Sequence, residues 1–334
     1  MPPCDRSSPV RRRPVKRHIR LEDVELTPRR PSRRSGTRCC PWSCPGCCSC
    51  GRRPDYVSAA GLVQIRLPSC DHQHVSVRSQ SQAYGVAERI AAQLVEDGAS
   101  GVALTGSVAL GEDLPNSDID LIALTHERLG HQLLRRDDRL VSVVRQSADQ
   151  AHASLYQPSE IGTAVPGWRS AIVLSDAFGV VQDVRDEAAH WTWERVAGAC
   201  DDWVASGVTG LAEQVHRVAG LLRGEHDQVR VAAANRAVIG LQLAPRMAVH
   251  RRILYGSENR LWELVATCEG SDWAAAQDQA LGIDGAPSHA DQCRAALRLY
   301  SMAAERVQGL LDRRQDEVVT KALEVIEQSL GESP

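Results

Sequence analysis

From Gln82 onward, apolar residues recur at helical spacing. Ala83, Ala87, Ile90 and Leu94 fall four, three and four apart, with Val86 and Ala91 flanking the stripe. Glu88, Arg89, Gln93 and Glu96 lie off it. The pattern predicts an amphipathic helix, and Gly98 beyond it is a natural terminator. The period then changes. Gly101-Val-Ala-Leu-Thr105 is a short apolar run of the kind that buried strands use, and it breaks into Gly106-Ser107-Val-Ala-Leu-Gly111. Residues 112–117, with Pro115 and Asn116, predict a loop. A second strand is expected over Asp118–Leu124, a short polar helix or loop over 126–136, and a third strand over Arg139–Arg145. A further strand is expected over Ser170–Leu174, closed by the turn Ser175–Gly179. From about Asp186 the spacing is helical to the end, with segments near 186–206, 209–224, 228–255, 257–268, 271–281, 288–313 and 315–330. Ala296, Leu299, Ala303, Val307 and Leu310 illustrate it.

The first 78 residues carry no such pattern. They are rich in Pro, Arg, Ser and Cys and predict a disordered leader. The chain therefore divides into a leader at 1–78, a small mixed-sheet domain at 80–184 and an all-helical domain at 185–330. The fold class is α+β, and 334 residues suit two domains.

Charge and cysteine follow the same division. Residues 1–75 hold 15 Lys and Arg against 6 Asp and Glu, and the remainder holds 24 against 36. A basic tail on an acidic body is one pattern for nucleic-acid attraction. Here Trp42 and Tyr56 are the tail's only aromatic residues and the tail has no helical period, so nucleic acid is not the expected partner. Cys44-x-x-Cys47 and Cys47-x-x-Cys50 have ligand-like spacing, but they sit in one short knot without a second folded knuckle. Cys200, Cys268 and Cys293 stand singly in helical patterns and read as reduced core residues of a cytoplasmic protein. No apolar run is long enough to span a membrane, and Arg11-Arg12-Arg13 lacks the apolar stretch of a secretory signal.

The chemistry concentrates in Leu104–Leu124. Residues i and i+2 of a strand point to one face, so Asp118 and Asp120 project side by side while Ile119 and Leu121 pack behind. Two like charges this close repel, and a divalent cation removes the cost. Magnesium takes one or two carboxylates and completes its shell with phosphate oxygens and water, which points to a metal–triphosphate site. Gly106-Ser107 ends the preceding strand. A glycine there lets the backbone approach a ligand, and neighbouring N–H groups with the Ser107 hydroxyl can hold phosphate oxygens. Gly111 lets the chain turn away, and no Gly-Lys-Ser/Thr of a Walker loop is present.

Gly106-Ser107, the gap to Asp118 and Ser117-Asp-Ile-Asp-Leu121 resemble the signature of the DNA polymerase beta-like nucleotidyltransferase superfamily. The likeness is to its small bacterial branch, which includes aminoglycoside, lincosamide and minimal nucleotidyltransferases. The resemblance implies that Gly106 and Ser107 bind the β- and γ-phosphates of an NTP, ATP being the expected one, and that Asp118 and Asp120 bind Mg²⁺ and are the catalytic carboxylates. It further implies attack of an acceptor hydroxyl on the α-phosphorus with loss of pyrophosphate. The family adds a third acid on a later strand. Arg139–Arg145 contains none; Asp137, Asp138 and Asp149 flank it and read as solvated turn residues first.

Three functions remain open. The first is transfer to a small-molecule hydroxyl, an aminoglycoside-like cation fitting the acidic body. The second is modification of a partner protein, as in antitoxin-like relatives. The third is nucleotide binding without turnover. Oligomeric state is not legible. Asp176 with Gly179 reads as a structural turn, Trp191 and Trp193 as core, and Arg246, His250, Arg251 and Arg252 as a solvated basic face.

Overall fold

A computed structural model describes residues 82–126, 129–283, 285 and 288–331. The expected disordered leader and the Cys44–Cys50 knot lie outside these residues. Helix α1 (Gln82–Glu96) buries Ala83, Val86, Ala87, Ile90, Ala91 and Leu94, the stripe and flanks that periodicity marks. Strand β1 (Gly101–Thr105), the short helix α2 (Gly106–Leu110) and strand β2 (Ile119–Leu124) follow. Then come β3 (Gly130–Arg136), β4 (Arg139–Gln146), α3 (Ala148–Ser154), α4 (Ile161–Ser170), β5 (Ile172–Asp176) and α5 (Val180–Ala189).

The five strands form one mixed sheet in the order β3-β4-β2-β1-β5. β1 pairs antiparallel with β2 and β5, β2 pairs parallel with β4, and β3 pairs antiparallel with β4. On one face, Val102, Leu104, Ile119, Leu121, Ala123, Val141 and Val143 pack against α1. The other face places Ala103 and Leu124 in a second, larger core shared with the helices beyond.

Residues 126–136 were expected as a polar helix or loop; 130–136 is instead the edge strand β3. Most of its residues are exposed, so it has no core-facing alternation to betray it. What makes it a strand is the two-residue turn Asp137-Asp138, both at positive φ (47° and 65°), which folds it onto β4 as a hairpin. The predicted helix at 186–206 is two helices, α5 and α6 (Ala197–Gly210), separated by a 3₁₀ turn at Trp193–Arg195.

The remainder is helical: α7 (Ala212–Leu222), α8 (Val229–His250), α9 (Glu258–Glu269), α10 (Ser271–Leu281), α11 (His289–Val307) and α12 (Arg313–Gly331). α11 is the hub. It packs against α6, α7, α8, α10 and α12, and it buries Cys293, Leu297, Leu299, Tyr300 and Val307. Cys200 is buried too, but Cys268 is exposed, against expectation. It lies in the last turn of α9, past the buried positions Leu261 and Val265.

Helix α4 joins the sheet to the helical body, touching β1 and α2 on one side and α5 and α8 on the other. The Gly162 carbonyl accepts from the N–H groups of Tyr255 (3.0 Å) and Gly256 (2.9 Å), and the Tyr255 ring lies where a Cβ on Gly162 would stand. Gly162→Ala should therefore lower the urea midpoint. Overpacking costs about 1–3 kcal/mol, against a helix-propensity gain of about 1 kcal/mol. An unchanged midpoint would mean that the ring swings aside freely.

Candidate active site

The site is assembled by register. β1 sets Thr105 opposite Asp120 of β2, so the residue after Thr105 meets the Asp120 side chain. That residue is Gly106, at φ 70°, and a Cβ built on it would run into Asp120 Oδ2. Glycine is required twice over, by conformation and by space. The chain then makes α2 and leaves it through Gly111 at φ 73°, a left-handed helix end. Ser107, half-buried, opens the second position of α2.

Residues 112–117 return the chain to β2. Leu114 N–H donates to Ser117 Oγ at 2.9 Å, and Ser117 N–H donates to the Leu114 carbonyl at 2.9 Å. Arg139, at the start of β4, holds this loop from outside. Its Nη1 lies 3.5 Å from the Asp113 carboxylate, 3.4 Å from the Leu114 carbonyl and 3.3 Å from the Ser117 carbonyl. Sequence reading passed over Arg139. Its signal is only that of one charge at the start of a predicted strand.

Asp118 precedes β2 by one residue and is exposed; Asp120 lies within β2 and is half-buried. Burial pushes the Asp120 carboxyl up to about 6, with the neighbouring Asp118 charge adding to it. The Ser142 hydroxyl, hydrogen-bonded to Asp120, and His131 pull the other way. Ser142 is the β4 residue in register with Asp120, and His131 Nε2 lies 3.1 Å from Ser142 Oγ. Neither stood out in the sequence, because both are brought in from strands whose order cannot be read from spacing.

The acids suggested for a third position lie elsewhere. Asp137 pairs with Arg89 of α1, Asp138 pairs with Arg135, and Asp149 sits in the first turn of α3. The position beside Asp120 belongs to Ser142. Among the described residues no three His, Cys, Asp or Glu side chains gather as a metal cluster. The donor set still fits a divalent cation whose shell a phosphate completes. Two adjacent carboxylates, one raised by burial and by its neighbour's charge, form a pair that a cation relieves.

The other marked residues have structural roles. Asp176 Oδ2 accepts from Gln182 N–H (2.9 Å) at the start of α5, and Gly179 stands at that helix's N-cap with φ 76°. Trp191 is buried and meets Trp193 edge-on at 4.9 Å. The basic stretch expected to face solvent is instead engaged: Arg251 pairs with buried Glu269 (2.7 Å), Arg252 pairs with Asp201 (2.7 Å), and Arg246 lies over the Trp203 ring.

The site is thus an exposed and a half-buried acid, one residue apart at the end of a mixed sheet, with Gly106 closely set against the second. Residues 87–153 match the family model of the nucleotidyltransferase domain, so the chain carries a nucleotidyltransferase domain, whose general chemistry is transfer of a nucleoside monophosphate. Among solved structures, the chain is similar to a nucleotidyltransferase-like protein from Exiguobacterium sibiricum 255-15. The two are 12% identical, with a TM-score of 0.40, over 73% of this chain and 77% of that one. No curated protein matches the chain. Among the described residues, no helix is long and apolar enough to cross a membrane.

The Asp120 shift has a consequence for stability. An acid whose folded pKa is raised binds protons more tightly folded than unfolded, so stability falls as pH climbs from the ordinary aspartate range through about 6. In cation-free buffer at pH 7.5, Asp120→Asn should raise Tm, and the gain should vanish near pH 4. A variant no more stable than the parent at pH 7.5 would show that Asp120 is not held under that penalty.

Proposed function

We propose that the chain is a Mg²⁺-dependent nucleotidyltransferase that moves a nucleoside monophosphate from an NTP, ATP being the expected donor, to a hydroxyl of a small molecule. The observation that carries this reading is the register that sets Gly106 against Asp120, two residues after Asp118 on the same strand end. Asp118 and Asp120 would hold the cation, which when bound supplies charge stabilisation for the attacking and leaving oxygens. The Gly106-Ser107 turn would hold the β- and γ-phosphates. Gly106 has no Cβ, so the turn can lie close against Asp120, and Ser107 brings a hydroxyl to the same turn. Arg139 fixes the loop that delivers Asp118. The helical body from α5 to α12 would shape the acceptor pocket, and the acidic balance of residues 76–334 suits a cationic acceptor such as an aminoglycoside.

A second reading, nucleotide binding without turnover, is favoured by the place of Ser142 beside Asp120, where a third acid would complete the set. One experiment separates the two. The full chain is incubated with Mg²⁺, NTPs labelled at the α-phosphate and a panel of hydroxylated acceptors that includes aminoglycosides and a partner protein. Transfer of label with pyrophosphate release, lost by about 100-fold or more in Asp118→Asn while the fold is intact, supports the first reading. Mg-ATP binding by calorimetry with no pyrophosphate release supports the second. Gly106→Ala should weaken ATP binding, because its Cβ displaces the Asp120 carboxylate; calorimetric affinity equal to the parent's would remove Gly106 from the nucleotide site.

A further inference from the structure

An attacking hydroxyl must lose its proton as its oxygen bonds to phosphorus. On the transfer reading, Asp118 and Asp120 are engaged by the cation. The face that carries them has a third feature. Ser142 lies in register beside Asp120 on the parallel neighbour β4, and His131 on β3 reaches diagonally across to it, Nε2 to Oγ at 3.1 Å. A serine hydroxyl has one proton and two lone pairs, so it can face Asp120 at rest and His131 during transfer. His131 is exposed, which gives a proton a way out to solvent. Imidazole is the side chain most often used to take a proton in such a step.

We propose that Ser142 and His131 form the proton-accepting arm of this site, an inference that rests on the transfer reading above. The Ser142 hydroxyl takes the proton of the acceptor hydroxyl as it passes its own proton to His131 Nε2. The acceptor oxygen forms its bond to the α-phosphorus while the bond from that phosphorus to the bridging oxygen of the β-phosphate breaks. The electron pair leaves with pyrophosphate. The proton rests on His131 and returns to solvent, and Ser142 ends with one proton, as it began. Ser142 touches the reacting hydroxyl; His131 acts through Ser142.

The test uses the full chain with Mg²⁺ and ATP, following pyrophosphate release with the acceptor found in the panel, or with water as acceptor where the panel yields none. The variants are His131→Gln, His131→Ala and Ser142→Ala, with Asp120→Asn as the control for the transfer reading. Glutamine keeps a hydrogen bond to Ser142 but cannot take its proton. The expected result is a fall in kcat of about 100-fold in His131→Gln and Ser142→Ala, with KM for ATP unchanged. Added imidazole should restore part of the His131→Ala loss. A readout independent of activity comes from the imidazole resonances of His131 in the cation-free protein, which should shift in Ser142→Ala. Wild-type kcat in His131→Gln, with release abolished in Asp120→Asn, would overturn the arm and leave the transfer reading standing. Loss of ATP affinity together with kcat in His131→Gln would make His131 structural and overturn it equally, as would unmoved His131 resonances. No pyrophosphate release by the parent chain, with Mg-ATP bound, would remove the transfer reading and the arm with it.

Discussion

Two carboxylates held side by side at the end of a sheet are an electrostatic liability, and this site is arranged around it. Asp118 and Asp120 share a face because one residue separates them in extended chain. They cannot move apart, since Ile119 and Leu121 between and beyond them are anchored in the core under α1. Burial and mutual repulsion raise the Asp120 carboxyl, and the surroundings answer only in part, with one hydroxyl and one imidazole. Had the fold been built for stability alone, a neutral residue at 120 would serve it better. The strain is tolerated because the rest of the sheet over-determines the geometry.

That over-determination runs through the chain's least flexible features. The Thr105–Asp120 register brings Gly106 against the carboxylate, and only glycine can occupy that point. Arg139 ties down the loop before Asp118 from the start of β4, the same strand that carries Ser142. One strand thus positions one carboxylate through its loop and flanks the other through its register. Beneath, α4 links the site's own elements, β1 and α2, to α5 and α8, so a single core continues from Ala103 and Leu124 to Ile326 in α12.

The sequence was legible where packing repeats locally. The α1 stripe and the apolar runs of β1, β2 and β4 announced themselves, because each is set by neighbours a few residues away, and Gly106, Asp118 and Asp120 stood out by residue type and spacing. β3 did not, because an exposed edge strand buries too little to impose a period. Its signal was the hairpin turn, and Asp-Asp is a weaker turn signature than Asn-Gly. α3 and α4 also went unread. The first has a capping box, Ser147 with Gln150, that was there to be found. The second hides its three-to-four spacing of Ile161, Val165 and Trp168 behind an internal Pro166. The pairing of Ser142 with Asp120 could not be read at all, since it depends on β4 lying parallel to β2 across a crossover that spacing leaves undetermined.

The substitution of a hydroxyl and an imidazole for a third acid alters the charge of the site as well as its proton chemistry. With two carboxylates, and no cluster of three ligands among the described residues, the protein supplies too few oxygens to hold a hard cation by itself. On the transfer reading the phosphates must supply the rest, so cation and nucleotide bind as one unit and each strengthens the other's affinity by the same factor. On the same reading, the side chains beside Asp120 are a hydroxyl and an imidazole, Ser142 and His131, so the groups flanking the cation can pass a proton without adding a third negative charge to it.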